Sequence, residues 1–462
     1  MDDQNKNLIL ATVLSFLVIL GWYTFFPPPE PEQAPETAVS ETAPAGDTAL
    51  APSAAAEAVD SSAPAQAEAP QAARLAIDTP RVTGSISLQG GRIDDLSLKD
   101  YRETLDANSP IVKLLKPVGE AQAYYALYGW APGSGLSLDD VPGANTVWSA
   151  GADATLTPDS PVTLTWDNGK GLTFSRTISV DEDYMFSVTQ SVANASGGTV
   201  SLAPYGTLAR HGQPADLKNF FILHEGLVGM SDGELAEIDY DDMADFEADA
   251  RDGSKAEIRQ VAENGWIGFT DHYWMSTLVP APGQAFRSIA KFDERREIYQ
   301  TDIVLPTVTV ADGQSSEVTT QLFAGAKEWE TIRGYQKAGI QGFLDVIDWG
   351  WFFFLTKPMF WLLHNLNVLI GNMGWAIIGL TVVIKILVFP LAYKSYASMA
   401  KMKELQPEME KLKERAGDDR QKMQKEMMEL YKREKVNPAA GCLPILIQIP
   451  IFFSLYKVIF VT

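Results

Sequence analysis

The sequence predicts a multi-domain membrane protein in which an all-β domain precedes an α-helical membrane domain with a helical hairpin in water. Three observations lead to this fold class. Apolar stretches long enough to cross a bilayer lie near the start of the chain and in its last quarter. Between them, short alternating runs are separated by Gly, Asn, Asp and Pro, a pattern typical of strands and turns. A charged segment with apolar residues at helical spacing separates the last two apolar stretches.

The charge of the chain is unevenly distributed. The 462 residues carry a net charge of −22, which argues against general nucleic-acid binding. Residues 74–347 hold 39 acids and 21 bases, a net of −18, whereas residues 394–437 hold 12 bases and nine acids, a net of +3. A basic excess beside a membrane span predicts a cytoplasmic segment there. The single cysteine, Cys442, permits no intramolecular disulfide, and we interpret it as an apolar filler.

The first two segments are predicted from composition. Residues 1–26 contain 19 uncharged residues from Leu8 to Phe26, which predict a first transmembrane helix. A cleavable signal peptide is the alternative, but the apolar run is long for one and no small-x-small site directly follows it. Residues 27–73 carry eight acids and no base among many Pro and Ala residues, so they predict a disordered tether, with a partner-binding tail as the alternative.

Residues 74–325 predict a many-stranded, mostly antiparallel domain of two packed sheets. The run from Ser85 to Leu88 alternates before a turn at Gly90 and Gly91. Val162 and Leu164 likewise alternate before an Asp-Asn-Gly turn. Residues 326–347 then predict a linking helix from their apolar spacing.

The next segments belong to the membrane. The 41 residues from Trp349 to Phe389 are nearly all apolar and would form a helix of about 60 Å, so the chain must break near Gly371–Gly374. Residues 348–371 place Lys357, His364 and Asn367 on one face, which predicts an amphipathic helix in the membrane interface. Residues 372–394 predict the second transmembrane helix.

Lys385 is the single charge in the 19 apolar residues from Trp375 to Tyr393, ten positions from the first and eight from the last. Its stem is too short to bring the ammonium comfortably to either interface. A cation at that depth costs about 2.5–3.5 kcal/mol on an insertion scale, so it usually faces a wet cavity and is functional. A structural ion pair or a partly snorkelled lysine is the alternative.

Residues 395–438 predict the helical hairpin, and residues 439–462 a third transmembrane helix. Met402 and Met409 lie on the apolar face of the first arm, and Met423 and Met427 on that of the second. A methionine surface can bind varied apolar partners, but packing between the two arms explains the same residues.

Several blocks resemble a known family. They are GGRIDDLSLKDY from Gly90, NGWIGFTDHYWMSTLVP from Asn264, IDWGWFFFLTKP from Ile347 and above all KVNPAAGCLPILIQIPIF from Lys435. Together they resemble the YidC group of Gram-negative membrane protein insertases, within the wider Oxa/Alb family. The resemblance covers nearly the whole chain apart from the tether.

The resemblance implies a periplasmic β-supersandwich similar to galactose mutarotases, and a membrane groove that is polar inside and closed to the periplasm. Lys385 falls where most of the family has arginine, and Thr381 and Gln448 match polar groove residues. The family continues with further helices past the third span, so we expect the groove to be incomplete here.

The implied function is insertion and folding of newly made inner-membrane proteins, alone or with the Sec translocon. The hairpin would contact the ribosome or the signal-recognition machinery through Met402, Met409, Met423 and Met427, and its excess positive charge suits anionic lipid headgroups. No enzyme activity, cofactor or metal is expected, and no P-loop pattern occurs.

Two other functions stay open at this stage. A membrane-anchored periplasmic mutarotase or carbohydrate-binding protein would use groups such as His211, His224 and His272, although their spacing is not diagnostic. A scaffold would only dock partners and would tolerate replacement of Lys385 with alanine or glutamate.

Overall fold

The computed structural model of the protein describes residues 73–151, 154–218, 223–249, 254–416, 420–434 and 443–461. The predicted first transmembrane helix, residues 27–72 of the predicted tether and Cys442 lie outside these ranges. The described chain consists of a β region followed by a helical region.

The strands are, in chain order, β1 Arg74–Asp78, β2 Val82–Ser87, β3 Arg92–Arg102, β4 Ile111–Leu115, β5 Tyr124–Pro132, β6 Ser149–Ala150, β7 Thr155–Leu156, β8 Val162–Asp167, β9 Leu172–Val180, β10 Met185–Asn194, β11 Val200–His211, β12 Gly226–Ser231, β13 Glu234–Asp239, β14 Lys255–Val261, β15 Gly265–Thr270, β16 Trp274–Pro280, β17 Phe286–Asp293, β18 Ile298–Val304, β19 Val308–Val310 and β20 Ser315–Ala326. The helices are α1 Trp329–Lys337, α2 Phe353–Ile370, α3 Met373–Glu404, α4 Gln406–Ala416, α5 Arg420–Arg433 and α6 Leu443–Val461.

The strands form two sheets. The larger has 11 strands in the order β14-β17-β18-β11-β5-β3-β2-β1-β7, with β19 added to β11 and β4 to β3. The smaller has nine strands in the order β13-β12-β15-β16-β20-β10-β9-β8-β6. Within the described ranges, β1 and β7 are the one parallel pair of strands, and the remaining strand pairs are antiparallel.

One hydrophobic core lies between the sheets. Strand β9 alternates buried and more exposed residues, so Phe174 and Ile178 point inward together. They belong to the same buried cluster as Ile93 and Leu96 of the larger sheet. The predicted fold class, a two-sheet β domain followed by membrane helices, is therefore confirmed.

Arg176 links the two sheets through the core. It is 1 % exposed, and its guanidinium donates to the carbonyl oxygens of Gly90 at 3.1 Å and Gly91 at 2.8 Å, and to that of Tyr128 on β5. Gly91 has a φ of +61°, and a Cβ there would lie 2.5 Å from the Arg176 Nη1. The Gly-Gly turn therefore allows both the left-handed backbone and the close approach of the arginine.

The start of α1 is fixed to the β domain by charged groups. Glu328, at the N-cap of α1, accepts hydrogen bonds from Arg81 and from the Tyr101 hydroxyl. Arg81 also pairs with Asp183 at 2.9 Å and Asp100 at 3.1 Å. These contacts hold the helical region on the β domain.

The stretch that the sequence predicts as one linking helix, 326–347, has two short helices in the structure. Helix α1 ends at Lys337, and a 3-10 turn follows at Phe343–Val346. Gly339 and Gly342 between them have φ of +122° and +67°. Those left-handed values interrupt a right-handed helix.

Helix α3 runs on past the predicted end of the second span at residue 394, to Glu404. Pro407 follows in the first turn of α4, where proline is tolerated, so the break falls between these two helices. Among the described residues, α3 is the helix that is long and apolar enough to cross a membrane, and Ile445–Val461 of α6 is a shorter apolar helix.

Candidate functional site in the helical region

Lys385 lies on the apolar part of α3. Its neighbours Val382, Ile386 and Leu387 expose 52 %, 66 % and 74 % of their surface, so this side of the helix is not covered by the described protein. Lys385 is itself exposed. Its ammonium has no carboxylate partner among the ion pairs that the described ranges contain. Among the described residues, Lys385 is thus a cation without a carboxylate partner that projects from an apolar helix.

Thr381 lies one turn before Lys385 on the same face of α3. Its hydroxyl donates to the Ile377 carbonyl at 2.9 Å. The hydroxyl hydrogen is therefore engaged within the helix, and the lone pairs of the hydroxyl oxygen remain available to accept hydrogen bonds from another molecule. The half-buried threonine and the exposed lysine therefore form a short polar stripe on the helix.

Gln448 lies on α6 and is half-buried. Helices α3 and α6 both pack on α2 and also contact each other. In the part of the chain that the structure describes, no hydrogen bond or ion pair joins Gln448 with Thr381 or Lys385. The three predicted groove residues are thus placed on two adjacent helices without a direct polar contact.

The predicted hairpin methionines are all half-buried. Met402 lies in the last turns of α3, Met409 on α4, and Met423 and Met427 on α5. Met409 accepts a hydrogen bond from the Tyr431 hydroxyl at an S–O distance of 3.7 Å. At Met409, packing between the two arms accounts for the residue.

A buried lysine that was not predicted from the sequence lies on the last helix. Lys457, near the end of α6, is 4 % exposed, and its ammonium lies 2.5 Å from the Asp348 carboxylate. The same carboxylate accepts the backbone N–H groups of His224 at 2.9 Å and Gly350 at 2.9 Å. One acidic side chain therefore joins the β domain, the segment before α2 and the last helix. The signal was present, because Lys457 also interrupts an apolar stretch.

The three histidines considered for an enzyme have separate surroundings. His211 lies beside the Tyr125 ring, with 5.9 Å between ring centroids. His224 pairs through Nδ1 with Asp239 at 3.0 Å. His272 is stacked on Phe460 of α6 at 4.8 Å and on Tyr273 at 3.9 Å. His272 thus packs the β domain against the last helix, and the geometry does not favour an enzymatic role for these residues.

Lys327, just before α1, is another charged residue where the β domain meets the helical region. Its ammonium donates to the Thr270 hydroxyl at 2.7 Å. Burial lowers the pKa of Lys327 to about 8, because the loss of hydration outweighs the opposing charges of Asp271 and Asp348. Asp271 is itself paired with Arg210 at 2.9 Å. A group of acids and lysines therefore connects the β domain to the helices.

Polar groups on α2 also contact the linking segment. Lys357 of α2 lies 2.6 Å from Asp345, and His364 lies 3.0 Å from Glu330 of α1. The predicted polar residues Lys357 and His364 therefore pack on the linking segment, while Trp361, one turn after Lys357, is 53 % exposed.

Comparison with known families accounts for both regions. Residues 74–362 match the family described as YidC periplasmic domain, and residues 365–462 match the family described as 60Kd inner membrane protein. Among solved structures, a galactose mutarotase related enzyme from Lactobacillus acidophilus covers 55 % of this chain and 97 % of its own, with 9 % identity and a TM-score of 0.36. A crystal structure of active YidC insertase covers 86 % of this chain and 73 % of its own, with 18 % identity and a TM-score of 0.27.

Curated relatives match along the whole chain. The membrane protein insertase YidC of Ruegeria sp. strain TM1040 is 76 % identical over 467 residues, covering 100 % of this chain and 77 % of that protein. The insertase of Dinoroseobacter shibae is 63 % identical and likewise covers 100 % of this chain and 77 % of its own. Such identity over most of both chains shows the family. It confirms the prediction that the chain is a membrane protein insertase and the prediction that it is not an enzyme. The chain belongs to the YidC family of bacterial inner-membrane protein insertases.

Proposed function

We propose that segments of newly made inner-membrane proteins bind to the polar stripe of Lys385 and Thr381 on α3, together with Gln448 on the adjacent helix α6. The observation that carries this proposal is the exposed Lys385 ammonium on an apolar helix, with no carboxylate partner in the described ranges. In lipid such a cation costs about 2.5–3.5 kcal/mol. Water in a groove, or an acidic group of an incoming chain, reduces that cost.

The proposed mechanism needs a charge and a polar path. An acidic tail is attracted to Lys385 more strongly than in bulk water, because the surroundings have a lower dielectric constant. Thr381 and Gln448 supply hydrogen-bonding groups along the way. The apolar part of the substrate then moves from the groove into lipid, and each buried methylene contributes about 0.8 kcal/mol. This driving force requires no nucleotide.

The proposed topology places the β domain in the periplasm and the hairpin, α4 and α5, in the cytoplasm. Support comes from the charges, which are −18 for residues 74–347 and +3 for residues 394–437. Helices α3 and α6, together with the predicted first helix in residues 1–26, would cross the inner membrane.

The proposed partners follow from that topology. The hairpin would contact the ribosome or the signal-recognition machinery, and its basic residues would lie near anionic lipid headgroups. Met428 of α5 is 53 % exposed and is open to an apolar partner, unlike the packed Met409. The β domain would contact the Sec translocon when the two act together.

The test compares Lys385→Glu, Lys385→Ala and Lys385→Arg for insertion of a membrane protein with an acidic translocated tail. We expect loss with glutamate, a smaller loss with alanine and near-normal insertion with arginine, measured as protease protection of the tail in membranes that contain the chain. Lys394→Glu is the matched control, because Lys394 is an exposed lysine further along the same helix.

A second readout tests contact directly. A photocrosslinker at position 381 or 448 should capture a stalled nascent membrane protein, whereas one at exposed position 394 should capture much less. Normal insertion by Lys385→Glu, together with equal crosslinking at all three positions, would show that the proposed stripe is not the substrate path. No observation favours a carbohydrate-binding function.

A further inference from the structure

A large cavity lies where the β domain meets the helical region. Its volume is about 1460 Å³. One wall is formed by the β domain, including Glu225 and Glu237, a second by the segment before α2, including Trp349, and a third by α6, including Ser454 and Lys457. The cavity is larger than the roughly 300–1,000 Å³ of most small-molecule sites.

The walls carry an excess of negative charge. Among the described residues, seven carboxylates and two lysines line the cavity. Both lysines are already paired, Lys357 with Asp345 at 2.6 Å and Lys457 with Asp348 at 2.5 Å. The remaining acids, such as Glu237, have no lysine of their own in the described part of the wall. The uncompensated charge therefore favours a cationic group.

Glu237 shows the effect of this excess. It is an exposed residue of β13 and lines the cavity. The nearby protein still displaces part of its hydration, which raises the pKa of its carboxyl, and the negative charge of Asp348 adds to the rise. A cation placed beside Glu237 would oppose both effects.

Ser454 provides a second, independent sign of a ligand. It is 1 % exposed and lines the cavity, and its hydroxyl has no hydrogen-bond partner in the described structure. A buried hydroxyl without a partner is uncommon and costs free energy. Ser454 lies one turn before Lys457 on α6, so a ligand that reaches the hydroxyl also lies near the ion pair.

The cavity borders on aromatic side chains that face outward. Trp351 is 93 % exposed and Phe353 is 55 % exposed, and both line the cavity. Aromatic residues of this kind are enriched where protein meets the headgroup region of a bilayer. An occupant with a polar head and an apolar tail would therefore satisfy both the acidic wall and this rim.

We propose that the cavity binds the headgroup of a zwitterionic phospholipid, with its ammonium at Glu237 and its acyl chains against Trp351 and Phe353. Lys357 has donors beyond the bond to Asp345, so it can also hold the phosphate, and the Ser454 hydroxyl donates to a phosphate or ester oxygen. A basic peptide is the less suitable cation, because segments carried across the membrane contain few Lys and Arg residues.

The test is lipid retention by the purified full chain in detergent micelles, counted by native mass spectrometry. We expect dihexanoylphosphatidylethanolamine to bind more tightly than dihexanoylphosphatidylglycerol, which lacks the ammonium. Glu237→Gln should weaken phosphatidylethanolamine binding about tenfold. Glu317→Gln, an exposed acid on β20 outside the cavity, should leave it unchanged.

Ser454→Ala is the second variant, since it removes the unpaired hydroxyl without creating a buried charge. It should fold at least as well as the unchanged chain and should bind the same lipid several-fold more weakly. Equal binding of the two lipids, equal effects of Glu237→Gln and Glu317→Gln, or tighter binding of a lysine-rich peptide than of phosphatidylethanolamine would overturn the proposal. None of these outcomes depends on Lys385, so the proposed insertion path is tested separately.

Discussion

The ammonium of Lys457 lies 2.5 Å from the carboxylate of Asp348, and both side chains are largely buried. This ion pair fixes the end of α6 to the segment that leads into α2. Through the backbone N–H of His224, the same carboxylate is also held by the β domain. This buried charge pair therefore helps to fix the position of the last helix relative to the β domain.

Replacing Lys457 with methionine should destabilise the chain by about 3 kcal/mol, because it leaves the Asp348 carboxylate buried without its cation. Lys457→Met combined with Asp348→Asn should recover part of the loss, since asparagine removes the buried charge and its amide oxygen still accepts one of the two backbone N–H groups. The measurement is the free energy of unfolding in detergent micelles by urea denaturation.

The matched control for this pair is Arg433→Ala in α5. Arg433 pairs with Glu408 at 2.9 Å, but its side chain is 66 % exposed. An exposed pair contributes little, so we expect a change below about 1 kcal/mol. Equal effects of Lys457→Met and Arg433→Ala would contradict the assigned role of the buried pair.

Arg176→Met should destabilise the β domain by about 3 kcal/mol or more, because the buried carbonyl groups of Gly90, Gly91 and Tyr128 lose their donor. Gly91→Ala should also destabilise it, through the positive φ and the contact with the arginine. Thermal unfolding of the full chain measures both. Arg259→Met, on the more exposed strand β14, is the control and should shift the midpoint far less.

The periodicity of the sequence predicted much of the fold correctly. The alternation around Val162 and Leu164, with its Asp-Asn-Gly turn, is a hairpin of β8 and β9 in the structure. Such local patterns determine which face of a strand is buried. The order of strands was not predictable, because β1 pairs with β7 and β11 with β5 across long intervals of the chain.

The contacts between regions were also beyond sequence reasoning. Apolar spacing marked Lys385 as unusual, and the same argument applies to Lys457, but the partner Asp348 lies more than a hundred residues earlier. The stacking of His272 on Phe460 likewise joins distant segments. Residues 326–347 were predicted as one linking helix although they contain Gly339 and Gly342, and the structure shows that the positive φ at both glycines interrupts it. The roles of Lys385, Thr381, Gln448 and the hairpin methionines stay predictions.

Lys327 should make stability depend on pH in a specific range. Burial lowers its pKa from 10.5 to about 8 in the folded chain. Between these values the unfolded chain binds more protons, so this lysine makes the folded chain more stable as pH rises from about 8 to 10.5. Lys327→Met should remove that rise, which has a slope of at most about 1.4 kcal/mol per pH unit. Urea denaturation at several pH values measures the difference between the two chains.

Lys337, at the exposed end of α1, supplies the control for this experiment. Lys337→Met should leave the pH dependence unchanged, because an exposed lysine retains its solvation on folding. An unchanged slope between pH 8 and 10.5 in Lys327→Met would mean that this lysine is not the titrating group.

We expect some hairpin methionines to stabilise the hairpin by packing between its arms and others to be exposed for contact with a partner. Met409→Ala should destabilise the hairpin by about 1–2 kcal/mol, because the Met409 thioether packs on Tyr431 of the other arm. Met428→Ala should change stability by less than about 0.5 kcal/mol, since this side chain is 53 % exposed. Hydrogen exchange of the α4 and α5 amides measures hairpin stability, and co-sedimentation with ribosomes measures partner binding. The opposite result would be that Met428→Ala leaves co-sedimentation intact, while Met409→Ala abolishes it and leaves the hairpin equally stable. In that case Met409, and not Met428, would be the residue that contacts the partner.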